Sequence, residues 1–147
     1  DLITAAEVHF LLSEAAARGY SVGGTAEAYY NSAIGVSMDE WGVSTSDAAT
    51  YLALPEVAYA TAVGDWMQKI GSQKWVAMFN NGYEGWTTWR LFDLGLNGPV
   101  VDGIMLDIPT RFLYPVSEAT LNGSRYDTAA AAIGGDSKTT KIFWDVN

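Results

Sequence analysis

The first forty residues alternate apolar and polar positions with the three- and four-residue spacing of amphipathic helices. Thr4-Ala-Ala-Glu7 has the spacing of a capping box, in which a hydroxyl and a carboxylate satisfy backbone N–H groups at a helix start. Thr25 is a good N-cap for a second helix, and Gly42 stands where a glycine often follows a helix end. The pattern predicts helices over 4–18 and 25–41. Their apolar stripes are Ala5, Val8, Leu11, Leu12 and Ala15, and then Tyr30, Ala33, Ile34, Met38 and Trp41.

The two predicted helices form an antiparallel pair that resembles one tetratricopeptide-type unit. Gly19 ends the first helix, and Glu14 and Arg18 lie one turn apart on its polar side. The pair is close to the repeat's period of ~34 residues. The consensus residues of that repeat are poorly matched, however, and no second copy follows in the chain.

Thr61 to Asp93 is the stretch around which the other helices are predicted to assemble. It contains four of the six tryptophans. Helical spacing places Val63, Trp66, Met67, Ile70 and Ala77 on one face. Asn80, Asn81 and Gly82 then break the helix, since Asn and Gly tolerate the left-handed conformation. A second short helix carries Trp86, Trp89 and Arg90, which completes an aromatic-rich helical hairpin. A short helix that begins near Ser44 and stops before Pro55 precedes the hairpin.

From Leu94 to Pro115 the pattern changes, because glycine and proline recur too often for a helix. Alternation of Ile104, Leu106 and Ile108 predicts a short extended segment. A turn is expected over 117–121 and a last helix over 124–133, and Ile142, Phe143 and Trp144 are expected to pin the terminus. The fold class is therefore mainly α, with a tetratricopeptide-like helix pair, an aromatic-rich helical hairpin and an irregular carboxyl-terminal segment.

Composition restricts the partners and the chemistry. A net charge of −9 argues against nucleic acid, because binding phosphates needs Lys and Arg. A neutral ligand such as a sugar stays open. Cysteine is absent, which excludes disulfides, thiolate metal sites and cysteine nucleophiles. No apolar run approaches the ~18 residues of a membrane span.

The sequence carries no recognisable catalytic site. His9 is the one histidine, and no nucleophile-elbow glycine pattern accompanies it. Phosphate-loop and EF-hand spacings are missing, so no metal or cofactor is expected. Carboxylate pairs for glycoside hydrolysis stay an alternative, since pairing is spatial. The candidate pairs are Glu7 with Glu14, Asp39 with Glu40, and Glu84 with Asp93.

Aromatic side chains are the remaining signal for ligand binding. Tyr and Trp rings stack on sugars as readily as on core neighbours, although at helical spacing most belong to the core. Trp41, Tyr51 and Tyr83 lie at the ends of predicted elements, which makes them the candidate ligand-binding residues. Glu84 and Arg90 flank the tryptophans and are expected to form an ion-pair network that holds the hairpin.

Five stretches, in order and at matching spacing, resemble the carboxyl-terminal region of SusD/RagB-type proteins. Any one of them would be weak, but together they cover nearly the whole chain. They are AEVHFLLSEAAARGY (6–20), AEAYYNSAIGVSMDEWGV (26–43), QKWVAMFNNGYEGWTTWRL (73–91), IPTRFLYPVSEATLN (108–122) and GGDSKTTKIFWD (134–145).

The resemblance implies a surface-exposed outer-membrane lipoprotein of Bacteroidota-type bacteria, built mostly from tetratricopeptide-like helix pairs. Such proteins bind glycans or other nutrients and act as a lid on a SusC-like TonB-dependent transporter, and they are not enzymes. Family members are much longer, so 1–147 is expected to be a single piece from the carboxyl-terminal part of one. The lipid anchor and most ligand-stacking aromatics would then lie upstream.

Resemblance also assigns a scaffold role to the family-motif residues Trp75, Glu84, Trp86, Arg90 and Arg111. The family pattern usually has a second Arg beside Arg90 and often one beside Arg111. Leu91 and Thr110 stand there instead. Two alternatives to nutrient binding stay open: a small carboxylate-dependent glycoside hydrolase, and a helical protein-interaction module whose apolar faces dock another chain.

Overall fold

Seven helices and one two-stranded hairpin make up the described part of the chain in the computed structural model, which describes residues 3–95, 98 and 100–145. The mainly α prediction is confirmed. In chain order the elements are α1 (Ala5–Ala17), α2 (Ala26–Glu40), α3 (Thr45–Leu52), α4 (Trp66–Ala77), α5 (Gly82–Leu91), β1 (Val100–Val101), β2 (Ile104–Met105), α6 (Val116–Leu121) and α7 (Gly123–Ala132). The chain divides into two compact units, Asp1–Leu94 and Gly95–Asn147.

The first five helices each begin at a side chain that accepts a backbone N–H, which satisfies one of the donors left free at a helix start. Thr4, Thr25 and Ser44 fill this position for α1, α2 and α3. Asp65 and Asn81 do so for α4 and α5. The capping box at α1 is only half formed, because no hydrogen bond from the Thr4 N–H to the Glu7 carboxylate completes it.

Helices α1 and α2 form the predicted antiparallel pair. The Ser13 hydroxyl donates to the Ala26 carbonyl at 2.8 Å, and one turn further on His9 faces Tyr29 with ring centroids 6.3 Å apart. Positions therefore descend along α1 as they rise along α2. Gly19 has a φ of +90°, the left-handed conformation that ends α1 and turns the chain.

The face that α1 buries differs from the predicted one. Ala6, Phe10 and Ser13 are buried, whereas Val8 and Leu11 are each 41% exposed. Apolar residues occur on nearly every side of this helix, so spacing alone did not select the side that faces α2. On α2 the predicted stripe is correct at Tyr30, Ala33 and Ile34. It is wrong at Trp41, which lies at the helix end and is 56% exposed.

One apolar cluster fills the interior of the Asp1–Leu94 unit. The Tyr30 hydroxyl lies within it and donates to the Val57 carbonyl at 2.6 Å, so its polar group is satisfied. Burial, and after it the neighbouring Tyr51 and Tyr59, raise the pKa of Tyr30 well above its usual value. The cluster thus stays neutral. Its buried members are Phe10, Tyr30, Ala33, Ile34, Val57, Ile70 and Phe92.

Helices α4 and α5 form the predicted aromatic hairpin. Trp66 and Phe92 meet edge to face at one end, with centroids 6.4 Å apart, and Lys74 pairs with Glu84 toward the turn. Val63 was placed on the buried face by its spacing, but it precedes α4 and is 94% exposed. The turn itself comes at Asn80 and Asn81, as predicted.

Close packing at Gly71 gives a stability prediction. A Cβ at Gly71 would lie 2.7 Å from Phe92 Cβ and 2.8 Å from Leu94 Cδ2, so Gly71→Ala forces core atoms apart. Overpacking costs roughly 1–3 kcal/mol and the better helix propensity of Ala returns about 1 kcal/mol. We expect the free energy of unfolding, measured in urea, to fall by up to about 2 kcal/mol.

Gly35 in α2 is the matched control, because no atom lies within 4 Å of the Cβ it would gain. Gly35→Ala is expected to stabilise by roughly 0.5–1 kcal/mol through helix propensity alone. Equal effects of the two substitutions would contradict the packing described for Gly71.

The Gly95–Asn147 unit has a different interior. Among its described residues, 95, 98 and 100–145, no apolar side chain is buried, whereas the side chain of Arg111 is.

The extended-segment prediction is confirmed at Ile104 and Met105, which pair with β1, and the helix over 124–133 is confirmed as α7. Two predictions fail. The region 117–121 belongs to α6 rather than a turn, and Phe143, 93% exposed, does not pin the terminus.

Candidate functional site

An open groove lies where α2 and α4 end beside the start of α1. Its volume is about 230 Å³. It combines an indole ring with small apolar and amide side chains from three separate elements. The lining residues are Thr4, Glu40, Trp41, Ala77, Met78, Asn80 and Asn81.

Trp41 gives the groove its aromatic wall. The residue caps the carboxyl end of α2, and its side chain stays 56% exposed. Phe79, from the end of α4, meets the indole edge to face with centroids 6.2 Å apart. Phe79 is itself 82% exposed, so much of the indole stays open to solvent. An accessible aromatic face is what a sugar ring stacks on.

Polar groups at the groove carry hydrogen-bonding capacity that the chain leaves unused. Within the described residues, the side chains of Glu40 and Asn80 make no hydrogen bond or ion pair. Asn81 uses its Oδ1 atom to accept the Glu84 N–H at 3.3 Å, which leaves its amide NH₂ as a donor. Lys and Arg are not among the lining residues. The groove therefore suits a neutral, hydroxylated ligand better than an anion.

The two tyrosines predicted as ligand-binding residues lie elsewhere. Tyr51 packs against the core and donates from its hydroxyl to Gln73 Oε1 at 3.0 Å. It lines a separate cavity of about 180 Å³ with Phe10 and Gln73. Tyr83 is 79% exposed near the start of α5. Neither lines the Trp41 groove, so the three candidates do not form one site.

Of the predicted scaffold residues of the hairpin, Glu84 forms its ion pair with Lys74, and Arg90 lies over the Trp86 ring. Lys74 Nζ donates to Glu84 Oε1 at 2.8 Å, with the Lys74 side chain 2% exposed and that of Glu84 25% exposed. The Arg90 guanidinium lies 4.8 Å from the centre of the Trp86 ring. Trp75 is 42% exposed on α4. Lys74 was missed because its sequence position gives no sign of burial; the one available signal was Glu84 ten residues away on the opposite arm of the hairpin.

Arg111 is the centre of a polar network in the second unit. Its guanidinium donates to Asp136 Oδ1 at 2.6 Å and lies 4.9 Å from the centre of the Tyr114 ring. Asp136 also accepts the Tyr114 N–H at 3.2 Å and the Tyr126 hydroxyl at 3.1 Å. These contacts join the segment before α6, α7 and the chain after it. Hydrogen bonds and an ion pair therefore connect the segments of the second unit, whereas buried apolar side chains connect the helices of the first.

The network makes the second unit sensitive to acid. Burial acts to raise the pKa of Asp136, but hydrogen bonds from Arg111, Tyr114 and Tyr126 outweigh it and lower the pKa below 3.8. A lowered pKa in the folded state means that the stabilisation is complete above that ordinary value and is lost as pH falls below it.

We therefore expect the amides of α7 to lose protection, relative to their intrinsic exchange rates, below about pH 4, while those of α1 and α2 stay protected. Hydrogen exchange from pH 6 to pH 3 measures this. Asp136→Asn removes the titrating group, so in that variant α7 exchange should not change across the same pH range beyond the intrinsic effect of pH. Equal protection of α7 at pH 6 and pH 3 in the unaltered protein would contradict the role of Asp136.

Two of the carboxylates considered for hydrolysis form ion pairs. Glu14 pairs with Arg18 at 2.8 Å and Glu84 pairs with Lys74. His9 faces Tyr29. Over residues 3–95, 98 and 100–145, no group of three or more His, Asp and Glu side chains is placed to hold a metal ion. None of the described helices is long and apolar enough to cross a bilayer.

Comparison with known protein families agrees with the five sequence stretches. Residues 1–115 match the model of a SusD-like family described as starch-binding and associating with the outer membrane. The chain belongs to this SusD-like family. The resemblance to SusD/RagB-type proteins is thereby confirmed over most of the chain. Members of the family are carbohydrate-binding proteins rather than enzymes, which argues against the hydrolase alternative.

Solved structures of SusD-like proteins share the fold of this SusD-like chain. A Bacteroidetes AC2a SusD-like structure superposes with a TM-score of 0.83 at 31% identity, over 99% of this chain and 30% of that one. A SusD homologue from Bacteroides thetaiotaomicron gives 0.76 at 27% identity, over 99% and 38%. A chitin-binding SusD homologue from Flavobacterium johnsoniae gives 0.69 at 30% identity, over 99% and 36%.

The SusD-like chain spans roughly a third of the length of these structures. Among curated proteins, none matches it. Because nearly all of this chain superposes on them, both of its units correspond to parts of SusD-like structures.

Proposed function

We propose that this chain is the carboxyl-terminal part of a SusD-like protein that binds a glycan at the bacterial outer-membrane surface. The observation that carries the proposal is the family match over residues 1–115, to a family described as starch-binding and associating with the outer membrane. Two similar structures support it, since one is named a chitin-binding protein and another a chitin-binding SusD homologue. Starch and chitin are both neutral polysaccharides.

The chemistry of the surface supports a neutral ligand as well. The net charge of −9 repels anions such as nucleic acid and acidic polysaccharides. The Trp41 groove offers an aromatic face beside amide groups and has no basic side chain in its lining. That combination recognises the apolar face and the hydroxyl groups of a sugar ring.

The proposal extends to the partner and the location. The protein would act with a SusC-like TonB-dependent transporter and receive the nutrient at the cell surface. A lipid anchor upstream of this chain would hold it to the membrane, as in a surface-exposed lipoprotein. The family's association with the outer membrane supports this location.

Two measurements test the proposal. The first is calorimetric titration of the protein with maltoheptaose and chitohexaose, with a sulfated glycan as the control; binding of a neutral oligosaccharide and not of the sulfated one is expected. The second is affinity purification of the tagged full-length protein from membranes, where a TonB-dependent transporter should co-purify. If no neutral glycan binds, the proposed ligand class is wrong. If no transporter co-purifies, the proposed partner is wrong.

A further inference from the structure

We propose that the groove at Trp41 is a subsite for one neutral sugar residue of an oligosaccharide, within the helices that the family motifs assign to the scaffold. The Trp41 indole would stack on the sugar ring, and Asn80 and Glu40 would bond its hydroxyl groups. The inference rests on the proposed function and names a place for it in this chain.

The exposure of Trp41 is the first argument. A sugar ring that covers the open indole face would be favoured in free energy, because burying apolar surface yields about 25 cal/mol per Å². The α4–α5 turn, which supplies Asn80 and Asn81 to the lining, borders the open ring, yet the ring stays 56% exposed. Phe79 contacts the indole and is itself 82% exposed, so the groove presents accessible aromatic surface.

Unused polar capacity is the second argument. Within the described residues, the Asn80 amide and the Glu40 carboxylate have no protein partner, although both border the same groove as the indole. An amide both donates and accepts, and a carboxylate accepts from hydroxyls, so together they match the alternating hydroxyl groups of a sugar. The Thr4 hydroxyl already accepts the Glu7 N–H at 3.2 Å and keeps its own proton for donation.

The size of the groove sets how much of the ligand it takes. At about 230 Å³ it is smaller than the roughly 300–1,000 Å³ of pockets that enclose drug-sized ligands. One ring fits, and the rest of an oligosaccharide would extend outside. A carboxylate at the rim with no basic residue in the lining disfavours sulfated or phosphorylated sugars.

The test is titration of the protein with chitohexaose and maltoheptaose, followed by calorimetry and by the indole N–H signal of Trp41 in NMR. Trp41→Ala is expected to raise the Kd of the oligosaccharide that binds by about tenfold or more, because ring stacking is lost. Asn80→Ala is expected to raise it about threefold to tenfold. Tyr20→Ala is the control, since Tyr20 is 68% exposed and lies outside the groove.

The possible results separate this inference from the proposed function. A shifted Trp41 indole signal on titration, with weaker binding by the Trp41 variant and unchanged binding by the Tyr20 variant, would support the subsite. Unchanged affinity of a folded Trp41 variant would overturn the subsite and leave glycan binding in place. If the unaltered protein binds neither oligosaccharide, both the subsite and the glycan-binding proposal are wrong.

Discussion

Glu84→Ala is expected to lower the free energy of unfolding by about 3 kcal/mol, because it leaves the ammonium group of Lys74 buried without its partner. The Lys74 side chain is 2% exposed, so in the folded protein the carboxylate takes the place of the water that would otherwise solvate the ammonium group. Glu84 is one of the family-motif residues to which the resemblance assigns a scaffold role. Urea unfolding followed by far-ultraviolet circular dichroism measures the change.

The two partners of this pair should respond unequally. Lys74→Met leaves Glu84, which is 25% exposed and stays partly hydrated, so we expect a loss of only about 1 kcal/mol. The double variant Lys74→Met/Glu84→Leu replaces the whole pair by apolar side chains and is expected within about 1 kcal/mol of the unaltered protein. If Lys74→Met proves as damaging as Glu84→Ala, the burial argument is wrong.

Arg111→Met is expected to unfold α7 locally. The substitution keeps most of the side-chain volume but leaves Asp136, whose side chain is 9% exposed, without its charged donor. Since the described part of the Gly95–Asn147 unit buries no apolar side chain, polar contacts such as this pair and the backbone bond from Thr110 to Lys138 hold these segments together. Amides of α7 should lose their protection from hydrogen exchange, while those of α1 and α2, which pack on the core of the first unit, keep theirs.

Arg125→Met is the matched control for Arg111→Met. Arg125 lies on α7 itself and is exposed, and within the described residues it forms no ion pair. Its substitution is therefore expected to leave the exchange of α7 unchanged. Protection of α7 that survives Arg111→Met, or that falls equally in both variants, would contradict the network as the basis of this unit.

Local chemistry explains which parts of the fold were predictable from the sequence. The starts of the first three helices were predictable, because Thr4, Thr25 and Ser44 accept N–H groups only three residues away. The buried face of a helix was harder to predict. Apolar residues lie on nearly every side of α1, and only packing against α2 decides which of them are buried. Helix α6 was missed because no side chain caps its start and the helix has only six residues.

The candidate site was predictable only in part. Trp41 was singled out for its place at a helix end, and its exposure agrees with that choice. Glu40 directly precedes it in α2, but Thr4 and Asn80 come from the ends of other helices, so no sequence spacing brings all three together. The burial of Lys74 and the joining of Arg111 to Asp136 likewise depend on residues 10 and 25 positions apart. Whether Tyr51 or Tyr83 contacts a ligand stays a prediction.

The central claim is that the family-motif residues hold the fold while the chain binds a neutral glycan through other groups. The most direct test is calorimetric titration of chitohexaose and maltoheptaose into the unaltered protein and into Lys74→Met/Glu84→Leu. The account predicts that one of these sugars binds both proteins with the same affinity within about twofold. A folded double variant that no longer binds the sugar, or an unaltered protein that binds neither, would contradict it.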